Sequence, residues 1–492
     1  MSATLSIATQ VTDLRSALEF LEQQPGQLVQ TSVEVDPNAE LSGVYRYVGA
    51  GGTVMRPTKM GPAMVFNKIK GYQNARVAIG LLADRKRVAM LLGTTSERLG
   101  FHLCAALNNP IAPVMVPTGP CQEVVHLASE PGFDIRKLIP APTNTPEDSG
   151  PFITMGLCYG KDPETGEEDV TIHRLCVQGP DTISMMFVPG RHLDAFRIKA
   201  EKAGKAQPIS ISIGLDPAVY VAACFEAPST PLGFNELGIA GALREAPVEL
   251  VKCLTVDAKA LAQSEIVIEG ELLPDVRVVE DQNSHTGKAM PEFPGYNGPA
   301  HQSLPLIKVK AVTYRPNPIM QTVIGPSEEH VNLAGIPTEA SIITMVGKAL
   351  PGFLQNVYAH PSGGGKYLAV LQVKKAVPFD EGRQRQAALL AFSAFSELKH
   401  VILVDEDVDP FDSNDVMWAM TTRFQADADV IPIPGVRCHP LDPSQTPEMS
   451  PSIRGKGITC KAIFDCTVPY ELKARFQRAQ FKEVDFEKFL KG

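Results

Sequence analysis

The sequence predicts an α+β protein of several parts, in which a β-rich centre is flanked by two mixed α/β layers. Three observations predict it. At 492 residues the chain exceeds what one ordinary core supports, so two or three domains are expected. The hydrophobic period changes along it: apolar runs and helical stretches alternate to about residue 120, strand patterns dominate to about 325, and alternation then resumes. Finally, 41 prolines and 39 glycines suit many short strands and turns better than a helical bundle.

The elements follow in chain order. Thr12 or Asp13 can cap a first helix in which Leu14, Leu18 and Leu21 share one face, and Pro25-Gly26 stops it. Gly49-Ala-Gly-Gly-Thr53 has Val54 where a dinucleotide loop needs its last glycine, so it reads as a turn. In the centre, Ile209-Ser-Ile-Ser-Ile213 alternates strictly, and Glu265–Leu273 and Leu306–Tyr314 are rich in β-branched residues. Few long helical patterns interrupt this region, so a β-barrel or a sandwich is expected. Beyond 326, Tyr367–Val373 and Val401–Val404 read as buried strands. Between them, Ala387, Leu390, Ala391, Ala394 and Leu398 give Arg383–Leu398 a helical period. Gly363-Gly-Gly-Lys366 has His360 and Tyr367 at two positions a phosphate-binding loop reserves for glycine and for Ser or Thr, so it too reads as a turn. The acidic run Asp405–Asp409 fits a strand end better than a calcium loop. A charged tail of helical character, Val468–Gly492, is expected to pack on another subunit. The parts are therefore 1–120, 121–325, 326–467 and the tail 468–492.

Composition narrows the function classes. A net charge of −9 with no basic run interleaved with aromatics argues against a general nucleic-acid binder. The start MSATLSIATQ lacks a signal-peptide pattern, and apolar runs such as Val77–Ala83 and Val88–Gly93 are too short for a bilayer. Nine scattered cysteines without a C-x-x-C pair indicate neither a disulfide framework nor structural zinc, which leads us to expect a cytoplasmic protein with reduced thiols. Neither G-x-S-x-G nor H-E-x-x-H occurs.

Three segments carry unusual polar residues: Asp169-Val-Thr-Ile-His-Arg174, Gly190-Arg-His192 and Phe234-Asn-Glu236. Read as strand ends, they would offer Asp169, His192 and Glu236 as mixed oxygen and nitrogen ligands for Mn²⁺ or Mg²⁺. Taken alone, such a trio equally describes surface pairs and turn residues.

Together with Pro291-Glu-Phe-Pro-Gly-Tyr296, Thr338-Glu-Ala340 and Asp405–Phe411, these segments resemble the UbiD family of prenylated-FMN-dependent decarboxylases over nearly the whole chain. Val35–Leu41, Thr143-Asn-Thr145, Gly325–His330 and Leu441-Asp-Pro-Ser444 are similar to the bacterial protocatechuate and gallate decarboxylases within it. The resemblance implies a central split β-barrel of flavin-reductase type that binds the cofactor, between an N-terminal α/β domain and a C-terminal α/β oligomerisation domain. It implies Mn²⁺ or Mg²⁺ on Asp169, His192 and Glu236, with K⁺ nearby; many members have Asn at the position of Asp169. It places Thr171, Ile172, His173, Arg174 and Arg191 along the flavin, and puts Ser393 near the position where related enzymes hold the phosphate with lysine. Arg174 matches the active-site arginine, Glu292 the proton-donating acid and Glu280 a second glutamate, with Asp281–Ala289 reading as an insertion. His330, Leu333, Lys366, His439 and Leu441 match the substrate pocket, where two histidines and a lysine suit catechol hydroxyls.

The implied reaction is non-oxidative, reversible decarboxylation of protocatechuate or gallate to catechol or pyrogallol and CO₂. The same chemistry on vanillate, a furan- or an indole-carboxylate is the nearest alternative. A divalent-metal hydrolase or a non-catalytic flavin-binding protein would be different in class. A flavin prenyltransferase is implied as cofactor supplier, and a homodimer or homohexamer as the assembly.

Overall fold

The computed structural model describes residues 10–52, 60–188 and 190–490. Helix α1 (Leu14–Glu22) starts where its cap predicts. Asp13 accepts from the Ser16 amide at 2.8 Å while the Ser16 hydroxyl accepts from the Asp13 amide at 3.0 Å. Leu14, Leu18 and Leu21 are buried, each stabilising the fold by about 1.5–3 kcal/mol. Three short strands follow, β1 (Leu28–Thr31), β2 (Ala63–Phe66) and β3 (Arg76–Ile79), β1 parallel to β2 and β2 antiparallel to β3. Of the glycine turn at 49–54, Thr53 and Val54 lie outside the described residues.

The centre is a barrel. Strands β4 (Phe152–Lys161), β5 (Glu168–Gly179), β6 (Thr182–Met185), β7 (Gln207–Ile213), β8 (Ile266–Val278) and β9 (Leu304–Tyr314) pair antiparallel in the ring β8-β7-β4-β5-β6-β9, and β9 closes on β8. Closure decides for the barrel over the sandwich. The alternation in β7 shows why: Ile209, Ile211 and Ile213 enter the core. On the opposite face Ser210 donates to the Lys259 carbonyl at 2.5 Å and Ser212 accepts from the Leu261 amide at 3.3 Å, both on a short outer strand.

Two helices here correct the strand reading. His192 opens helix α2 (His192–Lys202), and Glu236 immediately precedes helix α3 (Leu237–Arg244), so of the three acid and imidazole positions only Asp169 lies on a strand. Nearly every residue of α3 is buried, so it shows no polar face by which a helix could be read. After the barrel, β10 (Ile319–Thr322) pairs parallel with β3 and completes the N-terminal sheet in the order β1-β2-β3-β10.

Helix α4 (Glu328–Ala349), capped by Ser327, leads to a five-stranded sheet. Its strands are β11 (Leu354–Ala359), β12 (Leu368–Val373), β13 (His400–Asp405), β14 (Val430–Arg437) and β15 (Ile458–Asp465), in the order β11-β12-β13-β15-β14. Helix α5 (Arg383–Ala394) stops before Leu398, which is buried in the link to β13. The acidic run does end a strand: Asp405 and Asp407 hold the Arg423 guanidinium at 2.9 and 2.6 Å. The helical reading of the tail is corrected. Among its described residues, 468–490, the tail forms a single 3₁₀ stretch (Tyr470–Arg475) and a short helix (Glu487–Leu490), with exposed residues between them. Its charges serve side-chain pairs, such as Arg478 on Asp415 at 3.0 Å, rather than i,i+4 pairs within a helix. Among the described residues no helix is long and apolar enough to cross a membrane.

Candidate active site

Strand β5 carries the first group of site residues. Arg174, near its middle, reaches two carboxylates: Nη1 lies 2.5 Å from Glu292 Oε1 and Nη2 lies 2.9 Å from Glu280 Oε2. Glu280 follows β8, and its Oε2 also accepts from the His301 amide at 3.0 Å. Glu292 sits on a tight turn of a small hairpin, where its amide donates to the Tyr296 carbonyl at 2.8 Å and its carbonyl accepts from the Gly295 amide at 2.9 Å. Gly295 has φ 94, open to glycine but strained for other residues. Burial pushes the Glu292 carboxyl above the usual carboxylate range despite Arg174, and Glu280 adds to the shift. The segment Asp281–Ala289 thus leaves Glu280 and Glu292 on one guanidinium.

A second group lies across a cleft of about 860 Å³. Lys366 leaves the glycine turn with its ammonium 3.0 Å from Glu397 and 3.4 Å from Glu226. Arg191 shares both acids, at 2.9 Å from Glu226 and 3.2 Å from Glu397. His330 and His439 flank the Phe293 ring, with centroids 5.2 and 5.0 Å away. Burial, with Lys366 adjacent, lowers His330 to about 3 and holds His439 well below the ordinary imidazole value, so both rings are neutral. His330 Nδ1 is buried with no protein partner, a polar atom facing a cavity that can supply one.

Thr171–Arg174, Arg191 and Glu292 line the cleft, and so do His330, Leu333, Lys366, His439 and Leu441. His173 Nδ1 lies 3.1 Å from the Met186 carbonyl, and burial lowers the ring to about 4. A neutral ring donating there leaves Nε2, which has no partner, as an acceptor. Glu280 stands behind Arg174 rather than in the lining, and Ser393 is exposed on α5, donating to the Leu389 carbonyl at 3.1 Å.

Asp169, His192 and Glu236 form a third group. His192 Nδ1 is 3.3 Å from Asp169 Oδ1, and this contact raises the His192 pKa. Burial, then the Asp169 charge, pushes Glu236 up to about 8, and its Oε2 has no partner. Among the described residues no group of three His, Cys, Asp or Glu is arranged as a ready cation cage.

Sequence reasoning missed Glu226, Glu397 and Phe293. Phe293 stood inside a quoted motif. Glu226 precedes Pro228, and Glu397 is an acid in an apolar stretch, signals too common to single them out.

Comparison with known proteins fixes the family. Three domain profiles of 3-octaprenyl-4-hydroxybenzoate carboxy-lyase match in order: the N-terminal domain over residues 18–107, the Rift-related domain over 114–328 and the C-terminal domain over 331–466. The chain belongs to the UbiD family. This UbiD carboxy-lyase is 55% identical over 490 residues to the gallate decarboxylase of Lactiplantibacillus plantarum, covering 99% of this chain and 100% of that one. The apo structure of 3,4-dihydroxybenzoic acid decarboxylase from Enterobacter cloacae superposes with a TM-score of 0.93 at 61% identity, covering 98% of this chain and 99% of that one. The UbiD-class enzyme HmfF from Pelotomaculum thermopropionicum, solved in complex with FMN, gives 0.85 at 36% identity over 97% of this chain and 99% of its own.

Proposed function

We propose that this UbiD carboxy-lyase decarboxylates a 3,4-dihydroxybenzoate or its trihydroxy analogue, non-oxidatively and reversibly, with prenylated FMN in the cleft. One observation carries the reading: a single cavity is lined by Arg174 and Glu292 together with two neutral imidazoles and a lysine. The similarity to gallate and 3,4-dihydroxybenzoic acid decarboxylases supports it.

The donor set fits a cofactor held through a hard divalent cation. Asp169, His192 and Glu236 offer two carboxylates and an imidazole, and the unpartnered Glu236 oxygen is one that Mn²⁺ or Mg²⁺ satisfies. K⁺ belongs beside the same group, and Thr171, Ile172, His173, Arg174 and Arg191 border the flavin. Bound there, prenylated FMN supplies the sink for the electron pair that CO₂ leaves behind.

The chain's own residues do the rest. Lys366 donates to a substrate hydroxyl, and the unpartnered Nδ1 of neutral His330 can accept from one, whereas His439, whose Nδ1 accepts from the Leu441 amide at 3.1 Å, presents its Nε2–H as a donor. Leu333 and Leu441 flank the ring. Arg174 orients Glu292, whose affinity for a proton is raised by burial, the direction that suits a donor. Loss of CO₂ breaks the bond between the ring carbon and the carboxylate. The Glu292 proton then goes to that carbon, and solvent restores it to the carboxylate. Reversed, Glu292 takes the ring proton as CO₂ adds.

The test is decarboxylation of protocatechuate by protein co-produced with a flavin prenyltransferase, against protein produced without it. Catechol and CO₂ in the first sample alone support substrate class and cofactor together. Turnover in both would remove the flavin and favour metal-assisted chemistry. Turnover of vanillate, furan- or indole-carboxylate in place of protocatechuate would move the substrate.

A further inference from the structure

Glu397 has no part in the proton transfer described above, yet it joins three segments of the site. It lies in the link between α5 and β13 and is 5% exposed. One carboxylate oxygen accepts from Arg191 at 3.2 Å, and the other accepts from Lys366 at 3.0 Å with His439 Nε2 at 3.5 Å. Arg191 arrives from the start of α2, Lys366 from the glycine turn before β12, and His439 from the loop after β14. Glu397 does not line the cleft, whereas all three of its partners do.

We propose that Glu397 is a positioning residue for substrate recognition: its carboxylate keeps Lys366 charged and aimed into the cleft, and draws Arg191 and His439 around it, without touching the substrate. This rests on the reading that Lys366 meets a hydroxyl of a dihydroxybenzoate.

The charges around Lys366 make the dependence specific. Glu226 and Glu397 face it as anions, Arg191 as a cation, and His330 and His439 as neutral rings, with the Phe395 ring 5.4 Å from the ammonium. Burial lowers the lysine's affinity for its proton; the two acids more than offset it and hold its pKa above the usual lysine value. Glu226 contributes the larger charge effect on Lys366, but it makes the longer contact, 3.4 Å, and lies closer to Arg191 at 2.9 Å; Glu397 adds the shorter hydrogen bond. Without Glu397 the ammonium keeps the repulsion of Arg191 and only the longer pair.

The experiment measures catechol binding to the flavin- and metal-loaded holoenzyme by calorimetry across pH, beside KM and kcat, for Glu397→Gln, Glu397→Asp, Lys366→Met and the Gln–Met double variant. The expected result for Glu397→Gln is a loss of affinity of roughly tenfold to a hundredfold, the worth of a charge-assisted hydrogen bond. KM should rise more than kcat falls, with an alkaline limb of binding displaced to lower pH. Glu397→Asp keeps the charge and should keep that limb. With Lys366 already Met, adding Glu397→Gln should change affinity by clearly less than it does in the native background, the remainder being what Glu397 does through Arg191 and His439. Native affinity in Glu397→Gln, or an equal loss in the Lys366→Met background, overturns the proposal and leaves Glu397 as an ion pair of the fold. Should the Gln variant not fold, Glu397→Asp decides: an unmoved limb supports the proposal and a displaced limb overturns it. Wild-type enzyme that turns over another aromatic acid but does not bind catechol would overturn the substrate reading, and this proposal with it.

Discussion

At the scale of single residues, the feature with most consequence is one guanidinium between two carboxylates. Arg174 holds both Glu280 and Glu292, and burial, against the pull of Arg174, raises the affinity of Glu292 for a proton. Glu292→Gln should lower kcat by at least about a hundredfold, the lower end of general-acid contributions, with flavin and metal content unchanged; retained turnover would remove Glu292 as the donor. The sign of the pH dependence follows from the raised pKa. The loaded acid is present below it, so kcat for decarboxylation should fall as pH rises through it. Glu280→Gln removes a neighbouring anion that favours the proton, so the alkaline limb of kcat should move to lower pH, read from a pH–rate profile. His192→Ala is expected to empty the cation site, read by elemental analysis of purified protein. Glu292 alone in sequence is a turn residue between prolines, and only the motif around it pointed to an acid. The partnership of Glu226 and Glu397 with Lys366 joins segments up to 171 residues apart, 226 to 397, and nothing local encodes it.

At the scale of elements, the site depends on where backbones approach without side chains. A Cβ on Gly325 would collide with the Pro291 carbonyl, next to Glu292. Gly325→Ala should therefore destabilise by about 1–3 kcal/mol and lower kcat while changing no catalytic atom; unchanged kcat and thermal midpoint would refute the close approach. At Gly365 a Cβ would lie against the Val331 carbonyl and 3.0 Å from the Gly335 amide, so the glycine run that resembles a phosphate loop brings Lys366 against α4. Strand elements were the more legible. The alternation in β7 and the β-branched runs of β8 and β9 each need only one buried face to show in sequence. The almost wholly buried α3 and the tail were misread because neither has a polar and an apolar side.

At the scale of the whole molecule, α4 holds the parts together. Its Glu339 accepts from both Arg85 terminal nitrogens, at 2.8 and 2.7 Å, and from the Ala359 amide at 3.0 Å. Glu339→Ala leaves a nearly buried guanidinium unpaired and should lower stability by about 3–5 kcal/mol, measured by chemical denaturation; a loss below about 1 kcal/mol would place the pair among ordinary surface pairs. The Thr338-Glu-Ala340 motif was visible in sequence, but its task of joining the first and last layers was not.

The return of β10 to the N-terminal sheet also bears on how the chain is made. Until residue 322 leaves the ribosome, β3 keeps an open edge of unpaired amides and carbonyls. At about 5–20 residues per second, the stretch from β3 to β10 takes roughly ten to fifty seconds to synthesise. For that interval the first layer awaits its last strand, so its sheet is completed only after the whole barrel has been synthesised.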